Sequence, residues 1–233
     1  MKKVLSSIAL SLSLIIITTF IFNCGPTPTA APEVVVDPLR FSGAMADFKS
    51  ADSLKKPRPN SVLFVGSSSI RGWKTLSADF PELHVLNRGF GGSHMSDLIY
   101  FMDDIVFPYR PNAILVYEGD NDIADGKTPE VILRDYNIFV SGVLEKWPTK
   151  PIFFISIKPS LARVDYLESM ARANALIKAR TEEIENLYYI DVFTPMQGED
   201  GTPRTDIFGH DGLHMNKAGY ALWTKIIRDE LGI

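Results

Sequence analysis

The chain has 233 residues, of which 45% are hydrophobic and 22% are charged, a composition typical of globular proteins. This length is enough for one domain with a well-buried core. The net charge is −4 at pH 7, which argues against a nucleic-acid partner, because proteins that bind nucleic acids carry basic surfaces. The single cysteine, Cys24, excludes an intramolecular disulfide.

The N-terminal residues have the pattern of an export signal. Two lysines at the start precede an uncharged apolar run from Val4 to Phe22, and we expect residues 1–23 to be a signal peptide. The run ends in Asn23-Cys24 and resembles the lipobox of bacterial lipoproteins, which implies that Cys24 carries lipid. Because the run is also long enough to span a membrane uncut, an uncleaved N-terminal helix and plain secretion stay open as alternatives.

Residues 24–40 are predicted to form the lipidated end of the chain and an extended tether, since Pro26, Pro28 and Pro32 recur there without a regular period. Signal, lipid and tether together predict a protein of the bacterial cell envelope, held at a membrane by its N-terminus. Residues 41–233 are then expected to form one domain, whose first element is a short amphipathic helix ending at Leu54.

Strand-like and helix-like segments alternate from residue 61 onward. The strand-like runs are apolar, as expected for strands buried on both faces of a parallel sheet, and cover residues 62–65, 84–86, 113–117, 152–157 and 187–192. The helix-like segments cover residues 96–107, 129–147, 165–184 and 216–231, with Ser93 or Ser96, Thr128 and Asn216 as candidate caps. This alternation predicts a three-layer α/β/α domain with right-handed crossovers.

Four short segments carry residue types suited to catalysis, each at the end of a predicted strand or in the loop that closes the chain. They are Gly66-Ser67-Ser68-Ser69, Asn87-Arg-Gly-Phe-Gly-Gly92, Gly119-Asp120-Asn121-Asp122 and Asp211-Gly-Leu-His214. Ligands of open α/β sheets bind outside the carboxyl ends of the strands. The sequence therefore predicts that the four segments meet at this edge of the sheet.

The spacing within the last segment suggests a catalytic pair. Asp211 and His214 are three residues apart, so in a turn their side chains face each other. The carboxylate can then accept from one ring nitrogen and leave the other as a base, as in a Ser-His-Asp triad. The glycines before Gly92 allow backbone N–H groups to approach a ligand, and the Asn121 amide can donate to an oxyanion. Taken singly, these patterns are more typical of a salt bridge, a glycine-rich loop and an Asx turn.

Together and in this order, the segments resemble the four blocks of the SGNH (GDSL-like) hydrolase superfamily, which is named for Ser, Gly, Asn and His. The resemblance covers roughly residues 60–231 and places the four residues at Ser68, Gly92, Asn121 and His214. The first block usually reads Gly-Asp-Ser, whereas this chain has Ser67 in place of the Asp. The chain also resembles a subgroup of GDSL-like esterases that carries Gly-Ser-Ser-Ser-Ile-Arg here and Ile-Ser-Ile-Lys-Pro-Ser at the end of the fourth strand.

The resemblance implies a flavodoxin-like sheet of five strands and a serine ester hydrolase that works through an acyl-enzyme. It assigns Ser68, His214 and Asp211 to the triad, and the N–H groups of Ser68 and Gly92 with the Asn121 amide to an oxyanion hole. The substrate would be a small-molecule, lipid or carbohydrate ester. No metal or cofactor is expected.

Two alternatives stay open at this stage. His210 and His214 are four residues apart with Asp206 nearby, which could form a metal site, although no paired zinc-ligand motif occurs. The chain could also be a non-catalytic cell-surface binding domain that retains the fold. Three further residues have candidate roles: His94 and Trp73 near the predicted site, and His84, which is expected to be structural.

Overall fold

The computed structural model describes Asp37 and residues 39–233, which form a three-layer α/β/α domain. The predicted signal peptide over residues 1–23, Cys24 and most of the predicted tether lie outside the described residues. Within the described part, no helix has the length and apolar character needed to cross a membrane.

The middle layer is a five-stranded sheet in which all pairings are parallel. Its strands are β1 (Val62–Gly66), β2 (Val85–Gly89), β3 (Ala113–Tyr117), β4 (Ile152–Ile155) and β5 (Leu187–Ile190), in the order β2-β1-β3-β4-β5. The chain moves outward from β1 to the edge strand β2 and then returns to β3. The order of strands therefore reverses between β1 and β3, and such switch points are where open α/β sheets bind ligands.

Helices cover both faces of the sheet. They are α1 (Ser42–Leu54), α2 (Ser68–Arg71), α3 (Leu76–Asp79), α4 (Met95–Tyr100), α5 (Met102–Ile105), α6 (Asp120–Ala124), α7 (Pro129–Lys146), α8 (Leu167–Glu183) and α9 (Lys217–Leu231), with 3-10 turns at Leu161–Tyr166 and Thr194–Met196. Alternate strand residues point to opposite layers. In β1, Leu63 and Val65 belong to the core cluster that includes residues of α1, α4, α5, α7 and α8, whereas Phe64 belongs to the cluster that includes residues of α3 and α9.

Two of the predicted caps are confirmed. The Thr128 side chain accepts from the Val131 N–H at the start of α7, and the Asn216 side chain accepts from the N–H groups of Ala218 and Gly219 at the start of α9. The prediction that Ser93 or Ser96 caps the helix after β2, which is α4, is wrong. His94 occupies that position, and its backbone N–H donates to Asp97 Oδ2 at 2.9 Å.

The ends of several strands and helices also differ from the sequence prediction. β2 begins after His84 and continues through Asn87 and Arg88, while β4 and β5 end two residues earlier than their apolar runs. The helix predicted over residues 96–107 is two helices, α4 and α5, that meet at Phe101. The helix predicted from residue 165 starts as the 3-10 turn at Leu161–Tyr166. Apolar periodicity does not mark these boundaries, because buried residues continue past the ends of the hydrogen-bonded elements.

Candidate active site

Ser68 is placed by a sharp turn at the end of β1. Gly66 has φ +139°, and a Cβ there would lie 2.0 Å from the Tyr117 carbonyl oxygen, so the turn requires glycine. Ser67 and Ser69 are 1% and 2% exposed, whereas Ser68, the first residue of α2, is partly exposed. Of the three consecutive serines, Ser68 is therefore the one that a ligand can reach.

The structure brings Ser68, His214 and Asp211 together in one line of hydrogen bonds. Ser68 Oγ lies 3.0 Å from His214 Nε2, although 146 residues separate them in the chain. On the other side of the ring, His214 Nδ1 lies 2.6 Å from Asp211 Oδ2. The carboxylate thus orients the imidazole and leaves Nε2 directed at the serine hydroxyl, which is the geometry of a serine nucleophile with its base.

Asp211 is held in its ionised form. The pKa of its carboxyl lies well below the usual range, first because of the hydrogen bond with the His214 ring and then because the backbone N–H groups of His214 and Leu213 donate to it. The carboxylate is 51% and the imidazole 44% exposed, so the pair lies at the surface. The shift therefore arises from hydrogen bonding and not from burial.

The loop that carries His214 is fixed by the Asn216 amide. This residue caps α9 with its oxygen, and its Nδ2 donates to the carbonyl oxygens of Asp206 and Phe208 at 2.8 and 2.9 Å. The loop is further closed by the Gly209 N–H, which donates to the His214 carbonyl oxygen at 2.7 Å. His214 is thus presented by a loop tied to a 15-residue helix.

Three N–H donors that could serve an oxyanion lie near the carboxyl ends of neighbouring strands. Within residues 39–233, the backbone N–H groups of Ser68 and Gly92 donate to no other group. Gly92 has φ +83°, which turns the chain between β2 and α4. Asn121, in α6 directly after β3, donates from Nδ2 to the Ser93 carbonyl oxygen at 3.0 Å, which brings its amide to the Gly92–Ser93 loop. The three predicted donors come from the ends of β1, β2 and β3, on both sides of the switch point.

Comparison with known proteins places the chain in a family. A model of the GDSL-like Lipase/Acylhydrolase family matches residues 61–222, which is more than half of the chain. The chain belongs to the GDSL-like lipase/acylhydrolase family. No curated protein matches the sequence.

Solved structures share the fold of this member of the GDSL-like family. A Streptococcus pneumoniae protein named after platelet activating factor has a TM-score of 0.73 and 21% identity, covering 81% of this chain and 91% of its own. A GDSL-like lipase from Bacteroides thetaiotaomicron has a TM-score of 0.69 and 17% identity, with coverages of 81% and 97%. A variant of an acetyl-xylooligosaccharide esterase from Geobacillus has a TM-score of 0.58 and 20% identity, with coverages of 75% and 94%. At these identities the likeness shows the fold alone.

Asp120 and Asp122, on either side of Asn121, have different buried partners. Asp120 accepts from Lys158 Nζ and Tyr117 Oη, both at 3.1 Å, and pairs with Arg163. Asp122 accepts from Lys127 Nζ at 2.7 Å and from the Met95 N–H. Burial lowers the pKa of Lys158 to about 7, and the charge of Asp211 opposes this shift. Both carboxylates thus fix the chain on either side of Asn121.

A further carboxyl, Glu118, lies below the Gly92–Ser93 loop. It is fully buried, accepts from Ser93 Oγ at 2.5 Å, and has no partner for Oε2 among the described residues. Burial is the main cause that raises the pKa of Glu118 well above its ordinary value, and the charge of Asp122 adds to it. Glu118 thus supports the loop as a buried acid that favours its protonated form.

The other candidate residues take structural positions. Trp73 is 2% exposed, packs against aromatic neighbours and donates from Nε1 to Asp79 Oδ2. The His94 side chain is 8% exposed and lies 2.8 Å from Asp125. His84 precedes β2 and contacts Arg58. His210 is exposed, and no group of three or more potential metal ligands occurs in the described part of the chain.

Sequence reasoning does not identify Arg163, Lys158 or Glu118 as parts of the site. Lys158 and Glu118 each follow an apolar strand by one to three residues, and a charged residue directly after a buried strand was the available signal. Arg163 lies in a 3-10 turn and reaches Asn121 across 42 residues, a contact that local patterns do not encode.

Proposed function

We propose that this protein is a carboxylic ester hydrolase with Ser68 as its nucleophile. The observation that supports the proposal most strongly is the line from Ser68 Oγ through the His214 ring to Asp211, with contacts of 3.0 and 2.6 Å. A serine hydroxyl needs an adjacent base to attack a carbonyl at neutral pH, and His214 meets this need.

In the first half of the reaction, His214 Nε2 takes the proton of Ser68 Oγ as this oxygen bonds to the carbonyl carbon of the ester. The carbonyl oxygen becomes an oxyanion, which accepts from the N–H groups of Ser68 and Gly92 and from the Asn121 amide. One such donor is worth about 3 kcal/mol in comparable enzymes. The tetrahedral intermediate then expels the alcohol, which receives its proton from His214, and an acyl group stays on Ser68.

In the second half, His214 removes a proton from water as the water oxygen attacks the acyl carbon. The same donors stabilise the second oxyanion, Ser68 leaves with the proton from His214, and the carboxylic acid is released. Asp211 accepts from Nδ1 throughout and stabilises the imidazolium that forms in each half. The cycle consumes one water and regenerates the hydroxyl.

The acyl group of the substrate is to be identified by experiment. The structural neighbours include a GDSL-like lipase and an acetyl-xylooligosaccharide esterase, so that long acyl and acetyl esters are both candidates. Rates on nitrophenyl esters from acetate to dodecanoate would assign the protein to one of these groups.

The assignment of Ser68 as the nucleophile is tested by replacing each of the three consecutive serines. Ser68→Ala should lower kcat on a nitrophenyl ester by about 10⁴-fold or more, because it removes the nucleophile. Ser67→Ala and Ser69→Ala serve as matched controls and should keep most of the activity, since their side chains are buried. Near wild-type activity in Ser68→Ala would contradict the assignment. An inactive wild-type protein would instead favour a binding domain with this fold.

A further inference from the structure

The Asn121 amide is held at both of its ends. Nδ2 donates to the Ser93 carbonyl oxygen at 3.0 Å, and Oδ1 accepts from Arg163 Nη2 at 2.9 Å. Because only the oxygen can accept from a guanidinium, these two contacts define which end of the amide carries the hydrogens. One N–H of Nδ2 is used by Ser93, and the other is left for an oxyanion.

Arg163 contacts two consecutive residues of the Gly-Asp-Asn-Asp segment. While Nη2 donates to Asn121, Nη1 pairs with Asp120. The side chains of Arg163 and Asp120 are only 15% and 6% exposed, so the pair is shielded from water. A planar guanidinium can reach both acceptors at once, which a lysine ammonium on its single flexible stem cannot reproduce.

The turn that carries Arg163 also contacts the loop of the triad. The Ala162 N–H donates to the Gly212 carbonyl oxygen at 3.1 Å, between Asp211 and His214. A single 3-10 turn, Leu161–Tyr166, therefore touches both the oxyanion donor and the loop of the base.

We infer that Arg163 is a positioning residue that makes Asn121 an oxyanion donor, an inference that rests on the proposed ester hydrolase function. It fixes the orientation of the amide, and its positive charge at the carbonyl end polarises the amide so that the free N–H donates more strongly. Two of its nitrogens are used by Asp120 and Asn121, which leaves it poorly placed to bind an anionic group of the substrate. Its effect should therefore appear in the transition state and depend on Asn121.

The test is a double-mutant cycle on a neutral nitrophenyl ester, with kcat and KM measured for Arg163→Met, Asn121→Ala and the double variant. Asn121→Ala should lower kcat by about 10²- to 10³-fold with little change in KM. Arg163→Met should lower kcat by about 10- to 100-fold, also with little change in KM. In the Asn121→Ala background the same change should cost less than about 3-fold, because its effect passes through the missing amide.

Two further variants separate positioning from folding. Arg163→Lys keeps a positive charge beside Asp120 but loses the planar guanidinium that donates to two acceptors at once, and should still lower kcat by about 10-fold. The matched control is Arg172→Met, which removes a guanidinium that donates to Glu130 on the surface, and should leave kcat unchanged. Thermal unfolding of each variant shows that the compared proteins are folded.

The inference is overturned if the wild type is active and Arg163→Met keeps its kcat, or if the losses in the double variant simply multiply. It is also overturned if Arg163→Met raises KM for anionic esters only, which would make Arg163 a substrate-binding residue. If the wild type hydrolyses no ester and Ser68 reacts with no fluorophosphonate, the proposed function fails and the inference fails with it.

Discussion

Ser68 and its neighbours show how burial distinguishes chemically identical side chains. Three serines in a row offer three hydroxyl groups, but Ser67 and Ser69 are buried and only Ser68 contacts His214. The contact between Asp211 and His214 could be predicted because both residues lie in one short loop. Their contact with Ser68 could be predicted only through the resemblance to a family, since 146 residues lie between them.

At the level of one residue, Glu118 offers a test of how burial of a carboxyl group changes stability with pH. Its pKa is raised in the folded protein, whereas in the unfolded chain it should be about 4.3. Above that pH the folded state binds more protons than the unfolded state, so the free energy of unfolding falls as pH rises toward the folded pKa. Glu118→Gln keeps an oxygen for Ser93 Oγ and removes this dependence.

Glu118→Gln should therefore be close to wild type in stability at about pH 4 and more stable at higher pH. Within the window between the two pKa values, the difference should grow by up to about 1.4 kcal/mol per pH unit. Urea unfolding from about pH 4 to about pH 8 measures it. The control is Glu130→Gln, because the pKa of Glu130 is lowered by Arg172 at the surface. A difference that stays constant with pH would contradict the buried-acid assignment.

At the scale of elements, the turn after β1 depends on a glycine. Gly66→Ala should lower the free energy of unfolding by at least about 2 kcal/mol, since the new Cβ would meet the Tyr117 backbone in a conformation that favours glycine. Gly43→Ala is the matched control. It lies in α1 with no atom near the added Cβ, and should be neutral or stabilising by about 0.5–1 kcal/mol. Chemical unfolding of both variants would decide, and equal stability of Gly66→Ala and wild type would exclude the proposed turn.

The order and type of the main elements could be predicted from apolar periodicity, whereas several of their limits could not. β2 continues through Arg88, whose guanidinium is buried because Asp52 of α1 pairs with it and Tyr109 accepts from it. Those partners are 36 and 21 residues away, so a strand with a charged residue looks like a loop in the sequence. The contact of Arg163 with Asn121 is hidden for the same reason.

At the scale of the whole molecule, we propose that the domain is anchored at the bacterial cell envelope through Cys24. If so, the mature N-terminus should be Cys24 with diacylglyceryl and acyl groups, because one chain alone gives only marginal membrane binding. Mass spectrometry of the native N-terminus checks this, and Cys24→Ser should release the protein from membranes or leave it uncut. An unmodified cysteine in a chain that starts at residue 1 would favour a spanning helix. A mature chain that starts after Cys24 would mean secretion.

The most direct test of the central claim is to locate the residue that reacts with a fluorophosphonate. The native protein is treated with the probe and digested, and the modified peptide is sequenced by mass spectrometry. We expect one adduct, on Ser68, and no adduct in His214→Ala, because the hydroxyl reacts quickly only with its base in place. An adduct on Ser67 or Ser69, or the absence of any adduct in a protein that hydrolyses esters, would contradict the account.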